Sequence, residues 1–227
     1  MSKIVSIAID GPAGAGKSTM ARAIAKELGY VYVDTGAIYR TVGYYVTLCG
    51  IGPKDVDGVT RLLDDVNVQI DYDADGKQIM ILNGKTVTDE IRTPEMSDCA
   101  SKLSTLKVVR DYLLEVQRDL AKSRSVVMDG RDIGTVVLPN ADVKIYLTAS
   151  AEERANRRLK EFKEKGDQKS TFASVLQDIR QRDERDMNRE IAPLKQAKDA
   201  VLLDTSNLTI DESIAAMKRI IEESVKA

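Results

Sequence analysis

Five short apolar runs recur along the chain: Val5-Ser6-Ile7-Ala8-Ile9, Tyr30-Val31-Tyr32-Val33, Ser125-Val126-Val127-Met128, Val143-Lys144-Ile145-Tyr146-Leu147 and Ala200-Val201-Leu202-Leu203. Runs of this length with so few polar interruptions predict strands buried on both faces. Between and after them the apolar spacing becomes helical, with Met20, Ile24 and Leu28 behind the first run and Ile214, Met217, Ile221 and Val225 behind the last. Ser150-Ala151-Glu152-Glu153 and Thr209-Ile210-Asp211-Glu212 have the form of capping boxes. Thr93-Pro94-Glu95 opens a further helix that carries Ser101 and then Arg110. Alternation of this kind predicts an α/β protein with a five-stranded parallel sheet flanked by helices.

One stretch breaks the alternation. Val66, Val68, Ile70 and Tyr72 point one way and Asn67, Gln69 and Asp71 the other, which is the period of a strand with one buried face. Asp75-Gly76 and Asn83-Gly84 are hairpin turns, and Ile79, Ile81 and Val87 continue the apolar set. A three-stranded antiparallel insert over about 64–92 follows, and it should project from the parallel sheet.

Composition narrows the chemistry. The 227 residues carry 34 Lys and Arg against 36 Asp and Glu, a formal charge of −2, without the basic excess of a protein that coats nucleic acid. No run of 18 apolar residues and no leader-like N-terminus is present, so a soluble, cytoplasmic chain with no membrane partner is expected. There is no histidine, and Cys49 and Cys99 lack a CxxC spacing. A zinc site and a histidine general base are excluded by inventory, and both cysteines read as small buried apolar groups. The remaining inventory of Lys, Arg, Asp, Ser/Thr and a metal suits phosphoryl transfer.

The chemistry centres on Gly11-Pro12-Ala13-Gly14-Ala15-Gly16-Lys17-Ser18, followed by Thr19, set between the first strand and the first helix. Its glycines let successive N–H groups converge on nucleotide phosphates, and the helix aims its positive end at the same anion. Lys17 can reach the β- and γ-phosphates, and the Ser18 hydroxyl can complete the shell of a Mg²⁺ carried in by the nucleotide. Beyond the second strand lies Asp34-Thr35-Gly36-Ala37-Ile38-Tyr39-Arg40, where a second substrate is expected at the carboxyl ends of the strands. The third strand runs into Asp129-Gly130-Arg131-Asp132-Ile133-Gly134, a dense set of charges in a glycine-bounded turn.

Arg154, Arg157 and Arg158 start a helix that drifts into the polar segment 161–170, a candidate lid. In Ile179–Arg189, Arg182, Arg185/Asp186 and Arg189 recur at three- and four-residue spacing, so they share a helix face and either converge on an anion or pair among themselves. The expected organisation is a phosphate-loop core from 1–63, 93–150 and 190–227, the insert at 64–92, and a lid with its following arginine-rich helix at 151–189.

Together the phosphate loop, Asp34–Arg40, Asp129–Thr135 and Arg182–Asp186 resemble the bacterial-type cytidylate kinases, nucleoside monophosphate kinases of the P-loop class, over essentially the whole chain. The insert resembles the extra domain in that family's monophosphate-binding region. The resemblance implies Mg²⁺-dependent transfer of the γ-phosphoryl group of ATP to CMP or dCMP by a monomer. It places Ser101, Arg110 and Asp132 at the cytosine edge. Arg40, Arg131 and Arg189 fall at the acceptor phosphate, Arg182 and Asp186 at the sugar, and Asp34 and Thr35 in the same acceptor region. Gly11 through Thr19 would hold ATP. Arg154, Arg157 and Arg158 resemble lid arginines, and Lys17, Arg131, Arg157 and Arg158 would act on the transferring group. Thr35 stands where serine is common and Met187 where arginine is frequent. Two other readings remain at this stage: a P-loop kinase for UMP, AMP or a small metabolite such as shikimate, and a nucleotide-switch binding module.

Overall fold

A computed structural model describes residues 3–164 and 166–226. The elements in chain order are β1 (Ser6–Asp10), α1 (Lys17–Leu28), β2 (Val31–Asp34), α2 (Thr35–Leu48), α3 (Val56–Leu63), β3 (Val68–Tyr72), β4 (Gln78–Leu82) and β5 (Lys85–Thr86). They continue with α4 (Pro94–Leu103), α5 (Lys107–Ser123), β6 (Val126–Gly130), β7 (Val143–Thr148), α6 (Ala151–Glu164), α7 (Phe172–Asn188), β8 (Val201–Asp204) and α8 (Ile210–Lys226). The five apolar runs form one parallel sheet of order β2-β6-β1-β7-β8. Ile7, Ala8 and Ile9 in β1 and Val126, Val127 and Met128 in β6 are all buried, as strands covered on both faces must be. β8 is the last strand in the order, and Val201 and Leu202 on it are exposed, leaving Leu203 as its buried residue.

The chain divides into two compact units, one taking in the residues up to Ser6 with Ala25–Asp129, the other Ile7–Ile24 with the residues from Gly130 onward. In the first, Ile38, Val42 and Val46 of α2, Leu103 of α4 and Leu113 of α5 are buried with Val33 and Met128. The insert forms its own antiparallel sheet of order β3-β4-β5, with Asn83 and Gly84 both at positive φ, the backbone a two-residue hairpin turn requires. It does not simply project: the Gln78 side-chain oxygen accepts from Asp34 N at 2.8 Å, and the Tyr72 hydroxyl donates to the Tyr32 carbonyl at 3.1 Å. Within this unit β3 and β4 also pack against α2, so the insert is held by that helix as well as by these two bonds to β2.

Two expected helices differ in detail. The helix opened by Pro94 stops at Leu103, and Arg110 lies on a second helix, α5. The cause is local: Ser104 Oγ donates to the Ser101 carbonyl and Thr105 Oγ1 to the Lys102 carbonyl, which competes with continued helix. On α8, Met217 and Ile221 are buried and Ile214 half-buried as expected, whereas Val225 in the last turn is exposed.

In the second unit α6 and α7 share a small core of Ala155, Val175 and Ile179, flanked by Leu159, Phe162 and Leu176. The expected polar lid segment is thus better anchored than its composition suggests. Helix α6 runs through Phe162 to Glu164, Asp167 accepts from the backbone of Lys169 and Ser170, and Thr171 with Ser174 closes a capping box on α7. Residue 165 of that segment lies outside the described residues.

Candidate active site

The phosphate loop joins β1 to α1 in the second unit. Gly11 is fixed by close approach as much as by its φ of 148°, since a Cβ there would stand 1.9 Å from the Leu147 carbonyl oxygen on β7. Gly14 and Gly16 have φ of 75° and 90°, a left-handed backbone that glycine adopts without strain. Lys17 is buried, and its Nζ donates to the Pro12 carbonyl at 2.7 Å, so the cation is already drawn across the loop. Ser18 and Thr19 sit in the first turn of α1, where the backbone donors lack helical partners.

Next to the loop the three arginines of α6 differ in state. Arg154 is buried: its Nε donates to the Ala149 carbonyl at 2.9 Å, one terminal nitrogen to the phosphate-loop carbonyl of Ala13 at 3.0 Å, and the other pairs with Asp183 at 2.7 Å. It braces the loop from behind. Arg157 is held by Glu153 at 2.9 Å and by Thr205, whose carbonyl accepts at 2.7 Å. Arg158 lies over the Phe162 ring, 5.2 Å from its centroid.

The segment after β6 supplies crossed charge pairs within the same unit. Arg131 Nε donates to Asp186 on α7 at 2.9 Å, and Arg189 donates to Asp132 at 3.0 Å. Asp132, Asp186 and Arg189 are buried. Burial raises the Asp186 carboxyl, and the guanidiniums of Arg131 and Arg182 more than reverse this, so its pKa falls below the usual range. The sequence placed Arg189 on the helix face with Arg182 and Asp186. In the structure α7 ends at Asn188 and Arg189 is extended, with its Nε bonded to the Ala192 carbonyl at 2.7 Å. Pro193 follows Ala192, which takes a φ of 49°, and the helix has no route onward.

The first unit holds the remaining expected residues. Asp34 caps α2, accepting from Ala37 N at 2.9 Å, and its other oxygen meets Arg40 at 2.9 Å and Arg92 at 3.3 Å. The Nε of Arg40 is buried and has no hydrogen-bond partner among the described residues, a donor in want of an anion. Thr35 Oγ1 donates to the Asp129 carbonyl at 2.7 Å, and Asp129 in turn accepts from the Tyr32 hydroxyl at 2.9 Å. Ser101 and Arg110 are both buried, and Arg110 donates to the Ser104 carbonyl at 3.4 Å.

Sequence reasoning passed over four residues. Asp10 accepts from the backbone of Ile133 and Gly134, Arg92 shares Asp34 with Arg40, Asp183 holds Arg154, and Gln78 fastens the insert to Asp34. Asp10 carried a signal as a charged residue ending a largely apolar strand, and Asp183 lies within the Arg182–Asp186 motif; Arg92 and Gln78 carried none.

A glycine loop between a buried parallel strand and a helix, with a buried lysine and rows of arginine–aspartate pairs nearby, defines a P-loop α/β protein built to handle phosphates. The chain belongs to the cytidylate kinase family, whose model matches residues 7–223. It is 51% identical over 210 residues to the cytidylate kinase of Caldicellulosiruptor saccharolyticus, covering 92% of each chain. To the cytidylate kinase of an Exiguobacterium strain it is 48% identical over 227 residues, covering 100% of each. A solved structure of an uncharacterized protein from Eubacterium ventriosum shares the fold with a TM-score of 0.55 at 12% identity, over 97% of this chain and 99% of that one. Among the described residues no helix is long and apolar enough to cross a membrane.

Proposed function

We infer that the chain is a nucleoside monophosphate kinase that transfers the γ-phosphoryl group of ATP to CMP or dCMP, giving ADP and CDP or dCDP. The observation that carries this is the full-length match to cytidylate kinases at about half identity. Gly11 through Thr19 hold the ATP phosphates, with Lys17 at the β/γ bridge. The donor set fits a Mg²⁺ ion that arrives with the nucleotide. Ser18 offers a hydroxyl, and no cluster of three or more Cys, Asp or Glu among the described residues forms a metal cage. When bound, the ion neutralises charge on the transferring phosphoryl group.

On the acceptor side, Arg40, Arg131 and Arg189 take the CMP phosphate. The unpartnered Arg40 Nε supports its part in this, and Arg131 and Arg189 exchange their aspartate partners for, or share them with, the phosphate oxygens. Asp132 accepts from the cytosine amino group, while Ser101 and Arg110 meet its ring acceptors. Arg182 and Asp186 contact the sugar, and Asp34 and Thr35 set the geometry around Arg40. The acceptor phosphate is largely ionised at neutral pH, so in-line attack needs no protein base. Lys17, Arg131, Arg157 and Arg158 stabilise the charge that spreads over the transferring group. Arg154 serves ATP through its grip on the Ala13 carbonyl. Residues 151–189 act as the lid and the helix behind it, excluding water that would otherwise hydrolyse ATP. The 64–92 insert belongs to the monophosphate-binding region. The enzyme works as a cytoplasmic monomer.

The test is ADP formation from Mg·ATP with CMP, dCMP, UMP, AMP and shikimate in parallel, beside a control without acceptor and an Asp132→Ala variant. Turnover with CMP and dCMP that collapses in the variant is expected. UMP should lag by up to about 10⁴-fold, because it reverses the donor that Asp132 requires. Equal rates with every acceptor, or hydrolysis that needs none, would sink the reading.

A further inference from the structure

Asp10 ends β1 one residue before the phosphate loop and is 4% exposed. Its two carboxylate oxygens each take one backbone donor: Oδ1 accepts from Ile133 N and Oδ2 from Gly134 N, both at 2.7 Å. Those N–H groups open the π-helical turn Ile133–Val137, where the first donors of a helical segment have no partner of their own. The residues just before them are Arg131 and Asp132. We propose that Asp10 is a positioning residue for the acceptor half of the reaction, fixing the backbone that presents Arg131 and Asp132. The proposal rests on the roles given to those two residues above.

Both ends of this contact are stiff. Gly11, the next residue, is locked against the Leu147 carbonyl, so Asp10 cannot follow a drifting partner. On the far side a Cβ on Gly134 would stand 3.1 Å from Lys144 Cδ and 3.4 Å from Asp10 Oδ2, which leaves no slack. Lys144 is itself anchored, its ammonium donating to the Pro139 carbonyl at 2.6 Å and to Asp199 at 2.7 Å. Asp132, Lys17 and Tyr146 are the titratable groups that act on Asp10 or are acted on by it. Burial pushes its pKa up from 3.8 to about 6. A carboxylate kept in such a place is explained by the paired donors, since two adjacent N–H groups need two acceptor oxygens. An amide of the same shape cannot serve both, because it turns its own NH₂ onto one of them.

Asp10→Asn tests this. The variant should raise the KM for CMP about tenfold or more and lower the CMP-over-UMP preference by a similar factor, while the KM for ATP stays within about threefold. Amide exchange at Ile133 and Gly134 should be slow in the wild-type protein and should speed up by at least about tenfold in the variant. The variant should unfold in urea at pH 7.5 no more easily than the wild type, which separates lost positioning from a damaged fold. Wild-type CMP kinetics in the variant, or ATP and CMP constants that rise by the same factor, would overturn the proposal. So would fast exchange of the two amides in the wild-type protein, a result that does not depend on how the variant folds. A wild type with no CMP turnover would instead overturn the reaction and with it the acceptor role. Exchange that Asp10→Asn leaves unchanged would overturn the Asp10 contact alone.

Discussion

Asp10 ends β1 and Asp34 ends β2; both are buried and both accept backbone N–H groups, yet their carboxyls are driven in opposite directions. At Asp34 burial raises the pKa, and Arg40, Arg92 and the Ala37 N–H outweigh it, so the net shift is downward from the usual 3.8. At Asp10 burial again raises it, but the opposing forces are two backbone donors and a more distant Lys17, and the net result is a pKa near 6. The two sites show that a strand-end aspartate is made by backbone geometry, whereas its charge state is set by which cations reach it. Asp34 stabilises as an ion, and Asp10 is ionised at neutral pH against the preference of its surroundings.

The largest break in this comparison is Asp34→Ala. It removes the cap of α2 and leaves Arg40, whose side chain is 15% exposed, without its partner. Loss of one member of a buried pair and of an N-cap should lower stability by about 3 kcal/mol, near the low end for buried pairs because Arg92 can turn to solvent. Urea unfolding at pH 7.5 measures it. A loss below about 1 kcal/mol would mean the arginines find other acceptors.

The two groups also predict opposite limbs of the pH–stability curve. The Asp34 carboxyl is lowered, so its contribution is present above its unfolded value and is lost as pH falls through the folded one. The Asp10 carboxyl is raised from 3.8 to about 6, so its favourable neutral form is fully present below 3.8 and its contribution is lost as pH rises through 6. Between pH 5 and 7.5 that loss is on the order of 1 kcal/mol. Asp10→Asn has no such group, so the variant-minus-wild-type difference in urea stability should grow by this amount from pH 5 to 7.5. A difference that is flat with pH would place the Asp10 pKa outside this window.

Much of the fold was readable because it rests on signals local to the chain. The phosphate loop declares itself through glycine spacing followed by Lys17 and Ser18, and the insert through alternation and the Asn83-Gly84 turn. What could not be read depends on partners far away in sequence. Asp183 and Arg154 are ordinary helix charges until α6 and α7 pack. Arg189 fits a helical face by spacing, and only the chain's turn at Ala192 and Pro193 takes it off that face and toward Asp132. The exposed Val201 and Leu202 look like core in a one-dimensional pattern, because nothing in β8 itself says that it ends the sheet. Arg92 had no pattern at all; it reaches Asp34 from the short turn Glu90–Arg92 that follows β5.

Arg92→Ala is the gentlest way to sharpen the contrast. Its pair with Asp34 is 3.3 Å long and its side chain is 42% exposed, so the ion pair should contribute only about 0.5 kcal/mol, in the range of solvent-screened bridges. The more informative reading is the Asp34 titration. Arg92 is the second cation that holds this carboxyl down, after Arg40, and its removal should move the Asp34 midpoint upward, followed by carbon-detected NMR of the carboxyl. The Asp10 midpoint should stay where it is, because Arg92 is not among the groups that act on it. If both aspartates shifted together, the separate origins assigned to their charge states would be wrong. An upward shift of Asp34 alone would show that cation placement, rather than depth of burial, divides the two.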